Sequence, residues 1–100
     1  MPNGMGEIKV KLQDQLAGGV YANGLQITHT REEFILDFLM IAPPTGTVTA
    51  RVITSPGHMK RILSAMAENI RKYEEKFGQI RQADEPSPHG GIGFVSGGKG

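Results

Sequence analysis

The sequence predicts an α+β fold, in which an antiparallel β-meander of three to four strands is followed by one long C-terminal helix packed on one sheet face. Two observations predict the strands. Three consecutive segments of eight or nine residues are rich in β-branched and aromatic residues, and residues typical of turns separate them. A third observation predicts the helix, because apolar residues recur every three or four positions between residues 59 and 77.

The composition is that of one small domain. The chain has 100 residues, 38% of them hydrophobic, and its net charge of +1 requires neither nucleic acid nor an anionic membrane as a partner. No apolar run approaches the roughly 18 residues of a membrane span, and residues 1–30 lack the pattern of a secretion signal. The chain has no cysteine, which excludes disulfides and thiolate catalysis. We therefore expect a soluble cytoplasmic protein without a cofactor.

The distribution of glycine and proline predicts the domain boundaries. Residues 1–7 are expected to be a flexible N-terminus, and residues 8–78 to form a single domain of sheet and helix. Six of the 14 glycines lie after Gly78, together with Pro86 and Pro88. Residues 79–100 are therefore predicted to be a disordered tail.

The first predicted strand is short. Ile8, Val10 and Leu12 alternate with Lys9 and Lys11, which is the two-residue period of a strand with one buried face. This segment would come first in the chain and would bring the meander from three strands to four.

Three longer strands are predicted at residues 20–28, 34–42 and 47–54. The first connection, residues 29–33, contains a Thr-x-x-Glu pattern that can cap a single helical turn. The second connection, residues 43–46, begins with two prolines, which cannot donate hydrogen bonds to a ladder and favour a chain reversal. The short connections predict antiparallel pairing.

Ser55 and Pro56 predict the start of the helix, as the N-cap and the first helical residue. Gly78 is the predicted C-cap. The helix stripe, its predicted apolar face, consists of Met59, Ile62, Leu63, Met66, Ile70, Tyr73 and Phe77. On the polar side, Glu68 with Lys72 and Arg71 with Glu75 are spaced to form ion pairs. The helix is about 33 Å long, so its last turn is expected to overhang the sheet.

The proline turn also predicts a register between the last two strands. The expected pairs are Ile41 with Thr47, Leu39 with Thr49, Asp37 with Arg51, and Ile35 with Ile53. Asp37 and Arg51 would then form a cross-strand ion pair, which favours this register. One side of the sheet, the Leu36 face, would form the core beneath the helix. Its predicted residues are Phe34, Leu36, Phe38, Met40, Val48, Ala50, Val52, Ala22 and Gly24.

The opposite side, the Asp37 face, is predicted to be an oligomer interface. One helix cannot cover both sides of a sheet, and an uncovered apolar face of this size is unusual in a monomer. The predicted interface residues are Tyr21, Asn23, Leu25, Ile27, Ile35, Asp37, Leu39, Ile41, Arg51 and Ile53. We therefore expect a homodimer or a higher oligomer, in which Asp37 and Arg51 fix strand register and partner orientation.

Four blocks of sequence, at residues 19–23, 33–38, 51–61 and 68–78, resemble a family of short prokaryotic proteins known as domain of unknown function 3467. The blocks read GVYAN, EFILDF, RVITSPGHMKR and ENIRKYEEKFG. The resemblance spans roughly residues 8–80 and leaves the tail outside. It implies a prokaryotic protein with a strand-rich first half and one long helix. It implies no activity and no catalytic residues.

One interpretation of His29, Glu32, Glu33 and His58 is a metal site at the edge of the sheet where they are expected to meet. Two imidazoles and a carboxylate can bind a divalent metal, but a solvated turn explains the same residues, and we predict no metal site. No nucleophile has a base at a suitable spacing, so we expect no enzyme. The predicted function is a non-catalytic oligomeric module that binds proteins.

Two alternative functions stay open at this level. A nucleic-acid-binding protein would use the basic residues of the helix, Lys60, Arg61, Arg71, Lys72 and Lys76, but glutamates lie between them. A holdase-like chaperone would use the apolar sheet face.

Overall fold

The computed structural model describes residues 7–84. Its elements are three strands, β1 (Gly24–His29), β2 (Phe34–Ala42) and β3 (Thr45–Thr54), followed by one helix, α1 (Pro56–Phe77). The strands form an antiparallel sheet in the order β1-β2-β3. A single 3-10 turn, Asp14–Leu16, precedes the sheet. The predicted α+β class, a meander followed by one long helix, is confirmed.

The fourth strand predicted at residues 8–12 is not formed. These residues have no regular secondary structure, and Ile8 and Val10 are almost fully exposed. Alternation shows that a segment can present one apolar face, but a strand also needs a neighbouring strand for its backbone hydrogen bonds. Three strands are therefore present in the described part of the chain. Residues 1–6 and 85–100 lie outside it, so the predicted flexible N-terminus and disordered tail stay predictions.

The two connections differ in how far they match prediction. Thr30 Oγ1 accepts hydrogen bonds from the amides of Glu32 and Glu33, both at 3.2 Å, so the predicted cap exists, although no helical turn follows it. Pro43 and Pro44 alone connect β2 to β3, because Ala42 pairs directly with Thr45. β3 therefore starts two residues earlier than expected.

The register between β2 and β3 is confirmed at one end and wrong at the other. Asp37 pairs with Arg51, and Ile35 pairs with Ile53, as predicted. A β-bulge then shifts the pairing by one residue, because Thr49 is an extra residue in β3. Beyond it the observed pairs are Leu39 with Val48 and Ile41 with Gly46, in place of Leu39 with Thr49 and Ile41 with Thr47. Val48 consequently belongs to the Asp37 face.

The register between β1 and β2 places the side chains of β1 on the opposite face from the predicted one. Leu25 pairs with Phe38 and Ile27 pairs with Leu36, and residues that pair across antiparallel strands share a face. Leu25 and Ile27 therefore lie on the Leu36 face. Gly24, Gln26 and Thr28 lie on the Asp37 face. A shift of one residue exchanges the two faces of a strand.

Gly24 has a packing role on the Asp37 face that the prediction did not assign. A Cβ atom at Gly24 would lie 2.7 Å from Cδ1 of Ile41 and 3.5 Å from Cβ of Leu39. The absence of a side chain thus makes room for Ile41. It does not make room for the helix on the Leu36 face, as the predicted register implied.

The sheet centre contains the most buried residues of the described chain. Leu36 and Leu39, on opposite faces of β2, are each 3% exposed, and so is Asp37. They lie on the middle strand, where neighbouring strands shield them on both sides. The core is therefore small and centred on β2.

The ends of α1 agree with prediction. Ser55 is the N-cap, and its Oγ accepts a hydrogen bond from the amide of His58 at 3.1 Å. Pro56 is the first helical residue. Gly78 ends the helix with a φ of 97°, a left-handed conformation that favours glycine.

The N-cap allows a direct test of helix stability. We expect Ser55→Ala to lower the free energy of unfolding by about 1 kcal/mol, because the amide of His58 loses its acceptor. Denaturant unfolding followed by circular dichroism measures this change. The matched control is Ser64→Ala, at an exposed position inside the same helix, which is expected to leave stability unchanged or slightly raised. Equal effects of the two substitutions would contradict the capping role.

The position of α1 differs from the expectation that it packs along one sheet face. The helix has no buried residue. Among residues 7–84, extensive contact between elements joins β1 with β2 and β2 with β3, and does not involve the helix. The helix therefore contributes no buried residue to the core of the described chain.

Candidate interaction surfaces

The helix stripe is an apolar surface that is exposed over most of its length. Met59 and Ile62, in the first two turns, are half-buried. The next five members are exposed: Leu63 by 65%, Met66 by 45%, Ile70 by 51%, Tyr73 by 50% and Phe77 by 65%. The stripe therefore presents large apolar side chains to solvent along about four helical turns.

Aromatic contacts organise the C-terminal end of the stripe. The rings of Tyr73 and Phe77, one turn apart, have centroids 4.9 Å apart and are tilted by 47°. The ammonium group of Lys76 lies 5.4 Å from the centre of the Phe77 ring, within range of a cation–π interaction. These contacts hold the two rings side by side on one face of the helix.

The polar side of α1 carries a network around Arg71. Its guanidinium group donates to Glu68 at 2.7 Å and 3.2 Å, and it also binds Glu75. The predicted pair of Arg71 with Glu75 is confirmed, whereas Glu68 binds Arg71 and not the predicted Lys72. The hydrogen bonds from Arg71 lower the pKa of Glu68 below its usual 4.5. The charged residues of this network lie outside the helix stripe.

Asp37 and Arg51 form the predicted cross-strand ion pair on the Asp37 face. Arg51 Nε donates to Asp37 Oδ1 at 2.6 Å, and Nη2 donates to Oδ2 at 3.0 Å. The carboxylate side chain is 4% exposed, whereas the arginine side chain is 55% exposed. The guanidinium thus reaches from solvent to a buried carboxylate in the two-pronged geometry that arginine favours.

The Arg51 guanidinium lowers the pKa of Asp37 below its usual 3.8, chiefly through its hydrogen bonds, while desolvation opposes the shift. Because the folded-state pKa is the lower one, the carboxylate stabilises the fold fully above about pH 4. This contribution is lost as the pH falls through the folded-state value. Arg51, in turn, has a raised pKa and stays charged throughout.

We therefore expect the stability difference between the natural chain and Asp37→Asn to be constant from pH 5 to 7 and to shrink below about pH 3.8. Denaturant unfolding at a series of pH values measures both curves. A difference that stays constant down to pH 2 would show that the charge of Asp37 does not contribute to stability.

Gln26 extends this polar group to the third strand. Gln26 pairs with Asp37, which pairs with Arg51, so the three residues form a row across the sheet. Gln26 Oε1 is buried and has no hydrogen-bond partner among the described residues. Gln26 was missed at the sequence level because the predicted register placed it on the other face. Its polarity between two large apolar residues, Leu25 and Ile27, was the available signal.

Asn23 acts within the chain. Its Nδ2 donates to the carbonyl of Ile41 at 3.0 Å, its Oδ1 accepts from the amide of Ile41 at 2.8 Å, and its own amide donates to Leu39. The side-chain amide thus pairs with the backbone as the next residue of a strand would. The backbone groups of Ile41 are satisfied without a second chain.

The structure brings together six of the ten residues predicted for an oligomer interface. Ile35, Asp37, Leu39, Ile41, Arg51 and Ile53 share the Asp37 face. Leu25 and Ile27 were assigned wrongly, because the observed register places them on the Leu36 face. Tyr21 and Asn23 precede β1. Leu39 and Asp37 are already buried in a single chain.

Comparison with known proteins identifies the family. Residues 1–82 match the family described as "Protein of unknown function (DUF3467)", which covers the whole sheet and helix. The chain belongs to this family. No curated protein and no solved structure matches it. The resemblance found in the sequence blocks is thereby confirmed at the level of the family.

Membership of the DUF3467 family assigns no ligand, so the remaining hypotheses depend on geometry. His29 lies at the end of β1 and stacks on Phe34, with ring centroids 5.3 Å apart. Within residues 7–84, no three His, Asp or Glu side chains are grouped as metal ligands. The turn explains the contacts of Glu32 and Glu33, whose amides bind Thr30.

The basic residues of the helix do not form a stripe of free charges. Arg71 is bound by two glutamates, and the ammonium group of Lys76 lies over the Phe77 ring. Within residues 7–84, no helix combines the length and apolar character required to cross a bilayer.

Proposed function

We propose that this chain is a non-catalytic protein-interaction module that works as a homo-oligomer. The observation that carries the proposal is the exposure of the helix stripe, in which five large apolar side chains are 45% or more exposed. Contiguous apolar surfaces of this kind mark sites of protein association. The proposed setting is the cytoplasm, where a chain without cysteine needs no oxidising compartment.

The small core supports the same proposal. Only Leu36 and Leu39 are buried apolar residues in the described chain. Domains of this size often supplement a weak core by oligomerisation, because a single small core supplies little more than about 3–5 kcal/mol. Burial of the helix stripe against protein would add the apolar contact that the sheet does not supply.

The charges of the helix favour protein over nucleic acid as the partner. A phosphate-binding surface needs arginines and lysines whose charges are available. The guanidinium group of Arg71 instead donates to the carboxylates of Glu68 and Glu75, so it is not available to a phosphate. The basic residues also form two small groups, because Lys60 and Arg61 lie ten or more residues before Arg71 and Lys72 in the helix.

The proposal is tested by the mass of the full chain in solution. One chain has a mass of 10.8 kDa. We expect multi-angle light scattering to give at least twice this mass at micromolar concentration. A mass of one chain at every concentration up to the millimolar range would contradict the proposal. Gel-shift titration with duplex DNA and RNA at several salt concentrations tests the alternative. Tight binding that weakens steeply with salt would favour a nucleic-acid role.

A further inference from the structure

Six of the seven residues of the helix stripe, all except Ile62, are spaced alternately by four and three residues. They stand at positions 59, 63, 66, 70, 73 and 77. This is the heptad pattern in which the a and d positions form a seam between two helices. The seam consists of Met59, Leu63, Met66, Ile70, Tyr73 and Phe77. It spans residues 59–77 of the helix Pro56–Phe77. Each residue from Leu63 onward is exposed.

We propose that α1 pairs with α1 of a second copy of this chain, antiparallel, about a twofold axis near Glu68. Leu63 then lies beside Tyr73 of the second copy, Met66 beside Ile70, and Met59 beside Phe77. This inference rests on the proposed homo-oligomer and names its interface. An isologous contact of this kind closes as a dimer.

Charge complementarity favours the antiparallel orientation. Lys60 and Glu74 each follow a d residue of the seam and flank it on the same side. In an antiparallel pair such positions face each other, so Lys60 of each copy meets Glu74 of the other, forming two ion pairs. In a parallel pair Lys60 would meet Ser55, and Glu74 would meet Asn69. Neither parallel contact joins opposite charges.

Side-chain size and helix polarity favour the same orientation. Tyr73 and Phe77 are adjacent at one end of the seam. Antiparallel pairing places them against Leu63 and Met59, and a methionine sulfur makes favourable contacts with an aromatic ring. It also brings the positive N-terminal end of each helix near the negative C-terminal end of the other.

Disulfide trapping tests the orientation, because the natural chain has no cysteine. Leu63→Cys and Tyr73→Cys chains are prepared separately, mixed, and oxidised mildly. We expect a heterodimeric disulfide between the two variants. Leu63→Cys alone is expected to remain uncrosslinked, because its two introduced thiols would be about 15 Å apart along the axis of an antiparallel pair, beyond the ~7 Å limit of a disulfide. Tyr73→Cys alone is expected to remain uncrosslinked for the same reason. Ser64→Cys mixed with Tyr73→Cys is the control, because Ser64 lies beside Leu63 but outside the seam.

The outcomes separate this inference from the proposed function. Efficient cross-linking of Leu63→Cys with itself would overturn the antiparallel orientation. A dimer by light scattering without the 63–73 disulfide would overturn the helix pairing and leave the homo-oligomer standing. A single-chain mass would overturn both.

Charge reversal tests the register. We expect Lys60→Glu to weaken self-association about 3- to 10-fold, and the double variant Lys60→Glu with Glu74→Lys to restore it. Sedimentation equilibrium measures the dissociation constants. A double variant no tighter than Lys60→Glu would overturn the proposed register.

Discussion

Leu36→Ala is expected to lower the free energy of unfolding by about 2–4 kcal/mol, because it removes buried apolar groups and leaves a cavity at the centre of β2. Leu36 is one of two buried apolar residues in the described chain. A domain of this size has little stability in reserve, so partial unfolding at 37 °C is expected. Thermal and denaturant unfolding followed by circular dichroism measure the loss.

Leu12→Ala is the matched control for this substitution. Leu12 is 67% exposed and lies outside the sheet, so the same change is expected to cost at most about 0.5 kcal/mol. Similar losses for the two variants would contradict the assignment of the core to β2.

Leu63→Lys is expected to reduce the mass in solution to that of a single chain while keeping the circular dichroism spectrum. Leu63 is 65% exposed in one chain, so a lysine there is solvated in the monomer. In the proposed helix pair it would place a charge within an apolar seam, which opposes association. Light scattering and circular dichroism on the same samples separate loss of assembly from loss of fold.

Leu39→Lys provides the contrasting result. From the sequence alone, Leu39 was predicted to lie in an oligomer interface, where a charge would dissociate the assembly. Because Leu39 is 3% exposed within one chain, we now expect this variant to lose its fold. Ser64→Lys, beside Leu63 but outside the seam, is expected to change neither mass nor spectrum. If Leu63→Lys keeps the same mass in solution as the natural chain, the proposed role of the helix stripe in self-association is contradicted.

The local signals in the sequence predicted the elements well. Ser55, Pro56 and Gly78 predicted both ends of the helix, because capping depends on backbone groups within a few residues. Two prolines predicted the reversal between β2 and β3 for the same reason. The pair of Asp37 with Arg51 was predicted because opposite charges on otherwise apolar strands favour one register.

The faces of β1 could not be obtained in this way. Its residues Leu25 and Ile27 alternate with polar ones in a pattern that fits either register with β2, since a shift of one residue only exchanges the faces. The connection between the strands, residues 30–33, permits both. The position of the bulge at Thr49 has no clear local signal either, because it depends on how β2 and β3 fit together.

By itself the sequence determined the number and order of the long elements, together with the caps and the apolar stripe of the helix. These follow from side-chain periodicity and from hydrogen bonds between residues close in the chain. Only the tertiary structure decided which face each β1 side chain occupies, that residues 8–12 form no strand, and that the stripe stays exposed from Leu63 onward. Periodicity shows that a surface is apolar, but what covers that surface depends on the relative positions of distant elements.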